Sequence, residues 1–158
     1  MTKKKIKKLI NLLHKKKLKI AIAESCTGGL LSSSFTSISG ASKVFLMGII
    51  TYSNQSKISN LKIKKKTISS YGSVSPQCCL EMVKNLKKIS KSDVSISITG
   101  IAGPKGGTKN KPVGLVYLGI IIRKNIYIHK LNLKKRSRQA IQKDTVKTVI
   151  DKLLKILN

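Results

Sequence analysis

The chain has 158 residues, with 33 Lys and Arg against 5 Asp and Glu, which gives a formal charge of +28. Its length suits one domain with its own core, and no apolar run approaches the roughly 20 residues of a membrane span. Three cysteines without a CxxC spacing and two histidines exclude a disulfide framework and argue against a zinc site. The N-terminus has the spacing of an amphipathic helix, not of a signal peptide. We expect a single domain over residues 1–158, in the cytoplasm and without membrane attachment.

The charge has two interpretations. It could serve nucleic-acid binding, because Lys and Arg neutralise phosphates, or it could reflect compositional drift toward Lys, Ile and Asn. The lysines are spread along the whole chain, the only arginines are Arg123, Arg136 and Arg138, and aromatic residues make up 4%. A dedicated reader of bases uses arginine and stacking aromatics, so drift is favoured. We expect nucleic acid to bind only non-specifically, through charge.

The hydrophobic pattern predicts a chain in which helices and strands alternate early and a hairpin comes late. In chain order it predicts a helix at about 4–17, a strand at 19–23, a helix opening at Gly28-Gly29 and running to about 38, a strand at 44–52, a polar segment at 54–73, a helix from Ser75-Pro76 to about 90, a half-buried strand at 93–99, a loop at 100–113, strands at 114–122 and 125–133, and a helix at about 138–156. The predicted fold class is α/β, a single-domain α/β/α sandwich with a mixed, mostly parallel sheet and a late antiparallel hairpin.

Polar segments follow three of the predicted strands, and they are Ala23–Gly29, Thr51–Lys57 and Thr99–Pro104. A short apolar strand that stops at hydroxyl-bearing residues and two glycines predicts a tight turn into a helix. Such a turn presents small nucleophiles and backbone N–H groups to a crevice at the end of a sheet. We therefore expect the three segments to form one polar site.

Elimination narrows the chemistry of this site. The carboxylates of the chain are Glu24, Glu81, Asp93, Asp144 and Asp151. No two of them are predicted to converge, which argues against a paired-carboxylate mechanism or an acidic Mg²⁺ site. Neither His14 nor His129 lies beside a hydroxyl, which argues against a Ser-His-Asp triad. The remaining mechanism is one that uses hydroxyl groups and a lysine, in which the lysine activates a serine for acyl transfer.

The individual candidates each have a structural alternative. Ser25 at the predicted turn is either a nucleophile or a helix N-cap, and spacing does not decide between them. The N–H groups from Cys26 to Gly29 could form an oxyanion hole or bind a phosphate. Lys57 is either the base or a solvated lysine, and Tyr52 either a site residue or a core aromatic. Cys26 is either a second nucleophile or a small buried side chain.

Five motifs occur in order between about residues 6 and 156. They are Glu24-Ser25-Cys26-Thr27-Gly28-Gly29, Tyr52-Ser53-Asn54 with Lys57, Gly72-Ser73-Val74-Ser75, Thr99-Gly100-Ile101-Ala102-Gly103-Pro104 with Gly106-Gly107, and Lys111-Pro112-Val113-Gly114. Together they resemble the CinA C-terminal domain family, whose characterised members are nicotinamide-nucleotide amidohydrolases. The chain resembles the stand-alone form, without the domain that precedes this one in longer CinA proteins.

The resemblance implies hydrolysis of the carboxamide of nicotinamide mononucleotide to nicotinic acid mononucleotide and ammonia, for NAD salvage. It implies Ser25 as the nucleophile, with Lys57 and Tyr52 as general base and proton relay. The substrate-binding residues implied by the resemblance are Cys26, Thr27, Gly28, Gly29, Gly40, Ser42, Thr99, Gly100 and Arg138. No metal or organic cofactor is implied, and because relatives tend to be homodimers we expect a homodimer.

One motif departs from the family. Members usually carry Gly-Asp-Arg before the last helix, with the arginine reaching the substrate phosphate, whereas this chain has Arg136-Ser137-Arg138. Matching the helix behind it places Arg138 at the arginine position, and a slip in register would place Arg136 there. Two other functions stay open: a catalytically weakened nucleotide-binding protein, and an accessory protein of DNA uptake or repair.

Overall fold

The fold, as given by a computed structural model that describes residues 2–133 and 137–158, is one five-stranded sheet covered by helices. The strands are β1 (Ile20–Glu24), β2 (Phe45–Ile50), β3 (Val94–Gly100), β4 (Leu115–Ile122) and β5 (Asn125–Asn132). The helices are α1 (Thr2–Lys15), α2 (Leu30–Thr36), α3 (Asn54–Leu61), α4 (Lys65–Tyr71), α5 (Pro76–Ser90) and α6 (Arg138–Leu157). Within the described residues, no helix combines the length and the hydropathy that crossing a membrane requires.

The sheet has the strand order β2-β1-β3-β4-β5. Strand β1 pairs in parallel with β2 and β3, while β3 with β4 and β4 with β5 pair antiparallel. The last two strands form the predicted hairpin, which turns at Arg123-Lys124. Because β1, β2 and β3 run in the same direction, their carboxyl ends meet at one edge of the sheet. The three polar segments identified in the sequence begin at that edge.

The helices cover both faces of the sheet, as the predicted α/β/α sandwich requires. On one face α1, α2 and α6 bury the larger side chains of the central strands, such as Ile22 and Ile96. On the other face α5 packs on small strand residues, including Ala21 and Ala23. The small side chains let α5 approach the sheet closely, so both faces of β1 are buried.

The prediction that β3 is half-buried is wrong, because both of its faces are covered. Ser95 and Ser97, which an alternating pattern places in solvent, have no exposed surface. Their hydroxyls are satisfied internally: Ser97 Oγ donates to the carbonyl of Cys79 at 2.8 Å, and the Oγ atoms of Ser92 and Ser95 are 2.7 Å apart. Short hydroxyl side chains with internal partners can therefore occupy a buried face at little cost.

The segment 54–73, predicted only as polar, contains the helices α3 and α4. Ser53 caps α3, since its side chain accepts a hydrogen bond from the backbone N–H of Ser56. The mainly polar composition of α3 obscured its helical periodicity, because its buried residues are only Lys57 and Leu61. This helix is what carries Lys57 into the interior.

Candidate active site

Ser25 lies where β1 ends, at the carboxyl edge of the sheet. Its backbone N–H donates to the carbonyl of Ile98 on β3 at 3.0 Å, which fixes the residue to the neighbouring strand. Gly28 and Gly29 follow with φ values of 60° and 95°, a left-handed conformation that glycine adopts without strain. The predicted strand, turn and helix are confirmed, and the N-cap of α2 is Gly29, so Ser25 is not a helix cap. Its side chain is free for another role.

Glu24 holds the turn from behind, and the sequence analysis missed this function. The side chain is fully buried, and its carboxylate accepts from the backbone N–H groups of Gly29, Leu31 and Ser32 at 3.2, 3.1 and 2.8 Å, and from Ser32 Oγ at 2.7 Å. A carboxylate at these donors satisfies the N-terminus of α2 in place of a side-chain cap. An acidic residue shortly before an uncapped helix start was the signal available in the sequence.

Lys57 reaches Ser25 from α3. Its Nζ lies 2.9 Å from Ser25 Oγ, 2.8 Å from the carbonyl oxygen of Thr51 and 3.2 Å from that of Tyr52. The side chain is 1% exposed, so it is a buried lysine and not a solvated one. The alternative that Lys57 is a solvated lysine, which is the usual case in so basic a chain, is therefore wrong.

Burial lowers the pKa of Lys57 from its usual 10.5, because the charged ammonium loses its hydration. The neighbouring thiols of Cys78 and Cys26 act in the opposite direction, and the effect of burial is larger. None of the carboxylates in the described residues forms an ion pair with Lys57. Burial therefore shifts the equilibrium of Lys57 toward the neutral amine, which is the form that can accept a proton.

A cavity of about 230 Å³ opens over this pair. Its wall combines the Ser25 turn, Tyr52, Ser73 and Val74, the loop 99–106 and the start of α6 at Arg138. The three predicted polar segments thus meet in one site, together with Ser73 and Val74, which precede the third segment, and Arg138, which follows it. Thr99 and Gly100 both line the cavity. The hydroxyl of Thr99 donates to the carbonyl of Ser73 at 2.7 Å, which ties two parts of the wall together.

The hydroxyl of Tyr52 lies at the mouth of the cavity, not at Lys57. It accepts a hydrogen bond from Arg138 Nη2 at 2.7 Å, and the residue is 59% exposed. Lys57 contacts Tyr52 only through the backbone carbonyl, so the predicted relay between the phenol and Lys57 is not formed in this structure. Arg138 also donates from Nη1 to the carbonyl of Gly103 at 2.9 Å. Arg136, the alternative arginine, lies outside the described residues.

Cys26 lines the cavity beside Ser25, but its chemistry is unsuited to nucleophilic attack. Burial raises the pKa of its thiol to about 12, so the thiolate is scarce at neutral pH. Its carbonyl accepts from Gln142 Nε2 of α6 at 2.8 Å, which anchors the turn to the last helix. The structure thus supports the alternative of a small buried side chain, placed against the cavity.

Several predicted substrate-binding residues have other roles. The backbone N–H of Gly28 donates to the carbonyl of Ser25, and that of Gly29 donates to Glu24, so neither donor is available to a phosphate. The N–H groups of Cys26 and Thr27 have no acceptor among the described residues. Gly40 and Ser42 precede β2, lie near the amino edge of the sheet and do not line this cavity.

Residues 2–157 match the family model of the CinA C-terminal domain. The chain belongs to this family. It is 48% identical to a putative competence-damage inducible protein of Thermoanaerobacter pseudethanolicus over 143 residues, which are 90% of this chain and 34% of that protein. It is 48% identical to the CinA-like protein of Kosmotoga olearia over 138 residues, which are 84% of this chain and 34% of that protein. The CinA domain described here thus spans about a third of the length of these curated relatives.

Solved structures of CinA proteins share the fold. The crystal structure of competence/damage inducible protein CihA from Agrobacterium tumefaciens is 34% identical, with a TM-score of 0.95 over 99% of this chain and 96% of that one. A CinA superfamily protein from Klebsiella pneumoniae is 25% identical, with a TM-score of 0.95 over 99% of this chain and 98% of that one. The resemblance found in the sequence and the predicted fold class are confirmed.

Proposed function

We propose that this CinA domain hydrolyses the carboxamide of nicotinamide mononucleotide, with Ser25 as the nucleophile and Lys57 as its general base. The distance of 2.9 Å between Lys57 Nζ and Ser25 Oγ, in a buried site beside a cavity, carries the proposal. A hydroxyl is a weak nucleophile until a neighbouring base takes its proton, and an amine within hydrogen-bond reach can do so. The nucleotide as substrate comes from the resemblance to family members.

The hydrogen bonds of Lys57 support a role for the neutral amine as the base. A neutral amine has two N–H groups and one lone pair, whereas the ammonium has three N–H groups. The carbonyl oxygens of Thr51 and Tyr52 can only accept, so they take the two N–H groups. The lone pair is then left for the third neighbour, the hydroxyl of Ser25. The carbonyls thereby aim the base at the nucleophile.

The proposed reaction has two balanced halves. Ser25 Oγ bonds to the carboxamide carbon while its proton passes to Lys57 Nζ, and the carbonyl π electrons move to the oxygen. The tetrahedral intermediate then breaks its C–N bond as Lys57 returns the proton to the leaving nitrogen, which departs as ammonia. A water molecule hydrolyses the acyl-serine ester, again with Lys57 taking a proton and returning it to Ser25 Oγ. The backbone N–H of Cys26, which lines the cavity and has no acceptor among the described residues, is the donor we assign to the intermediate oxyanion.

The test is ammonia release from nicotinamide mononucleotide in EDTA-containing buffer, by the unaltered protein and by Ser25→Ala. We expect the activity of Ser25→Ala to fall to the background rate. Ser59→Ala is the matched control, because Ser59 is an exposed serine on α3, the helix that carries Lys57. Equal activity in Ser25→Ala and the control would contradict the assignment of the nucleophile. A folded, nucleotide-binding protein without turnover would instead support a weakened binding protein.

A further inference from the structure

The proposed substrate carries a phosphate, and the place where this anion binds is not the helix start that the glycine-rich turn suggests. Helix N-termini attract anions through their free N–H groups. In this chain Glu24 already supplies an anion there, with its carboxylate on the N–H groups of Gly29, Leu31 and Ser32. A second anion at the same donors would meet a buried negative charge. The start of α2 is therefore closed to the phosphate.

The other end of the cavity offers positive charge. Lys57, Lys105 and Arg138 are the cations that line the cavity among the described residues. Lys57 is buried and committed to Ser25 and two carbonyls. Arg138 is oriented by its bonds to Gly103 and Tyr52, one from each terminal nitrogen. A guanidinium has five N–H groups, and three of them have no acceptor among the described residues.

The bond between Arg138 and Tyr52 also fixes what the phenol can do. A guanidinium can only donate, so the oxygen of Tyr52 must accept this bond, at 2.7 Å. The proton of the phenol is then free, and the described residues offer it no acceptor. Tyr52 is more than half exposed at the mouth of the cavity, while Lys57 and Ser25 lie buried at its inner end. The free phenol proton is thus available to an acceptor that enters from solvent.

We propose that Tyr52 is a specificity-determining residue that donates its hydroxyl proton to the phosphate of the substrate, beside the guanidinium of Arg138. The resemblance assigned Arg138 to the phosphate but made Tyr52 a proton relay. The pair forms a two-donor anion clamp in which Arg138 neutralises charge and Tyr52 adds a directed hydrogen bond. This inference rests on the proposed function, because that function supplies a phosphate-bearing substrate.

The clamp is tested by binding, so that the result does not depend on turnover. Isothermal titration calorimetry in the Ser25→Ala background compares nicotinamide mononucleotide with nicotinamide riboside, which lacks only the phosphate. We expect the mononucleotide to bind more tightly, and Tyr52→Phe to shrink the ratio of the two dissociation constants about tenfold or more, the usual effect of a lost hydrogen bond to a charged group. Tyr71→Phe is the control, since Tyr71 is an exposed tyrosine outside this cavity.

Each outcome decides the proposal. Tyr52→Phe leaves the net charge unchanged, so a smaller ratio cannot come from the general attraction of a basic protein for phosphate. An unchanged ratio, or no binding of the mononucleotide, overturns the clamp. Ammonia release by Tyr52→Phe in protein that retains Ser25 adds a kinetic criterion. A rise in KM for the mononucleotide supports the clamp. An equal loss of kcat on the mononucleotide and the riboside identifies Tyr52 as a proton relay and contradicts the clamp. If Ser25-containing protein releases no ammonia, the proposed function fails while the binding ratio still decides the clamp.

Discussion

The two ends of the cavity are built by opposite means. At the inner end, Ser25 and Lys57 are almost completely buried and are oriented by backbone groups of β3 and of the segment after β2. At the outer end, Tyr52 and Arg138 are more exposed and orient each other through a side-chain hydrogen bond. Both ends contain a basic side chain, but only that of Lys57, at the inner end, is shielded from water.

This difference separates two tasks that a single type of site could not perform. A general base must lose its proton, so it benefits from burial that destabilises the charged form. An anion-binding group must keep its charge, so it benefits from contact with solvent and from a guanidinium that does not deprotonate. The location of each basic side chain along the cavity thus determines whether it acts as a general base or as an anion-binding group.

The largest effect is expected at the inner end, on replacing the base. Lys57→Met should lower kcat for ammonia release by about 10³-fold, within the range for removal of a general base. Lys57→Arg should lose as much, because arginine keeps the positive charge but cannot give up a proton. Steady-state kinetics with nicotinamide mononucleotide measures both. High activity in Lys57→Arg would show that a buried cation suffices and that no base operates.

Glu24 supports the inner end through the fold, so its replacement should act on stability first. Glu24→Gln keeps the shape but replaces an acceptor oxygen with a donor NH₂, which leaves buried N–H groups of α2 without partners. We expect the free energy of unfolding to fall by about 2–4 kcal/mol, as for buried hydrogen bonds to a charged group. Urea denaturation measures the change.

Glu81→Gln is the matched control for Glu24→Gln. The carboxylate of Glu81 accepts the backbone N–H of Lys64 at 2.9 Å in an exposed setting, where water can replace the bond. We expect its loss to cost less than about 1 kcal/mol. Equal effects of the two substitutions would mean that the four bonds to Glu24 contribute no more than one exposed bond.

The sequence permitted prediction of the inner end because local patterns encode it. An apolar strand followed by Ser25 and two glycines defines a turn, and parallel strands bring their carboxyl ends together, so the convergence of the polar segments followed from topology. The pairing of Lys57 with Ser25 was implied only by the family resemblance. Chain pattern also predicted α5, since Ser75 caps the helix and Pro76 begins it. These features depend on backbone geometry close in sequence.

The outer end and the buried serines were predicted poorly because they depend on contacts distant in sequence. The hydroxyl of Tyr52 is directed by Arg138, which lies 86 residues later, and no local pattern reports that bond. Ser95 and Ser97 looked solvent-facing because the alternation of the strand cannot show that α5 covers them. Gly40 and Ser42 were assigned through the family, and the direction of β2 places them away from the cavity.

A smaller effect is expected at the outer end, on removing the cation. Arg138→Gln should raise KM for nicotinamide mononucleotide about tenfold with a smaller change in kcat, because in the proposed complex the guanidinium would bind the phosphate and not the reacting carboxamide. The KM of Arg138→Lys should lie between those of the unaltered protein and Arg138→Gln, since lysine keeps the charge but cannot bridge Gly103 and Tyr52 at once. A loss confined to kcat would contradict an anion-binding role.

The smallest effect concerns pH and isolates the buried state of Lys57. Its pKa is lowered in the folded protein and has its usual value of 10.5 in the unfolded chain, so between these two values the unfolded state binds more protons. Stability should therefore rise with pH across that window, by at most about 1.4 kcal/mol per pH unit. Denaturation of the unaltered protein minus that of Lys57→Met cancels the titration of the other lysines, which both chains share. Below the lowered pKa both states are protonated and burial of the charge costs most, whereas above 10.5 both are neutral and the cost is gone. A pH-independent difference in stability would show that burial does not perturb this lysine.

The same lowered pKa should appear in the kinetics. The value of kcat/KM should rise with pH through the folded pKa, since the free enzyme must hold Lys57 neutral to use it as a base.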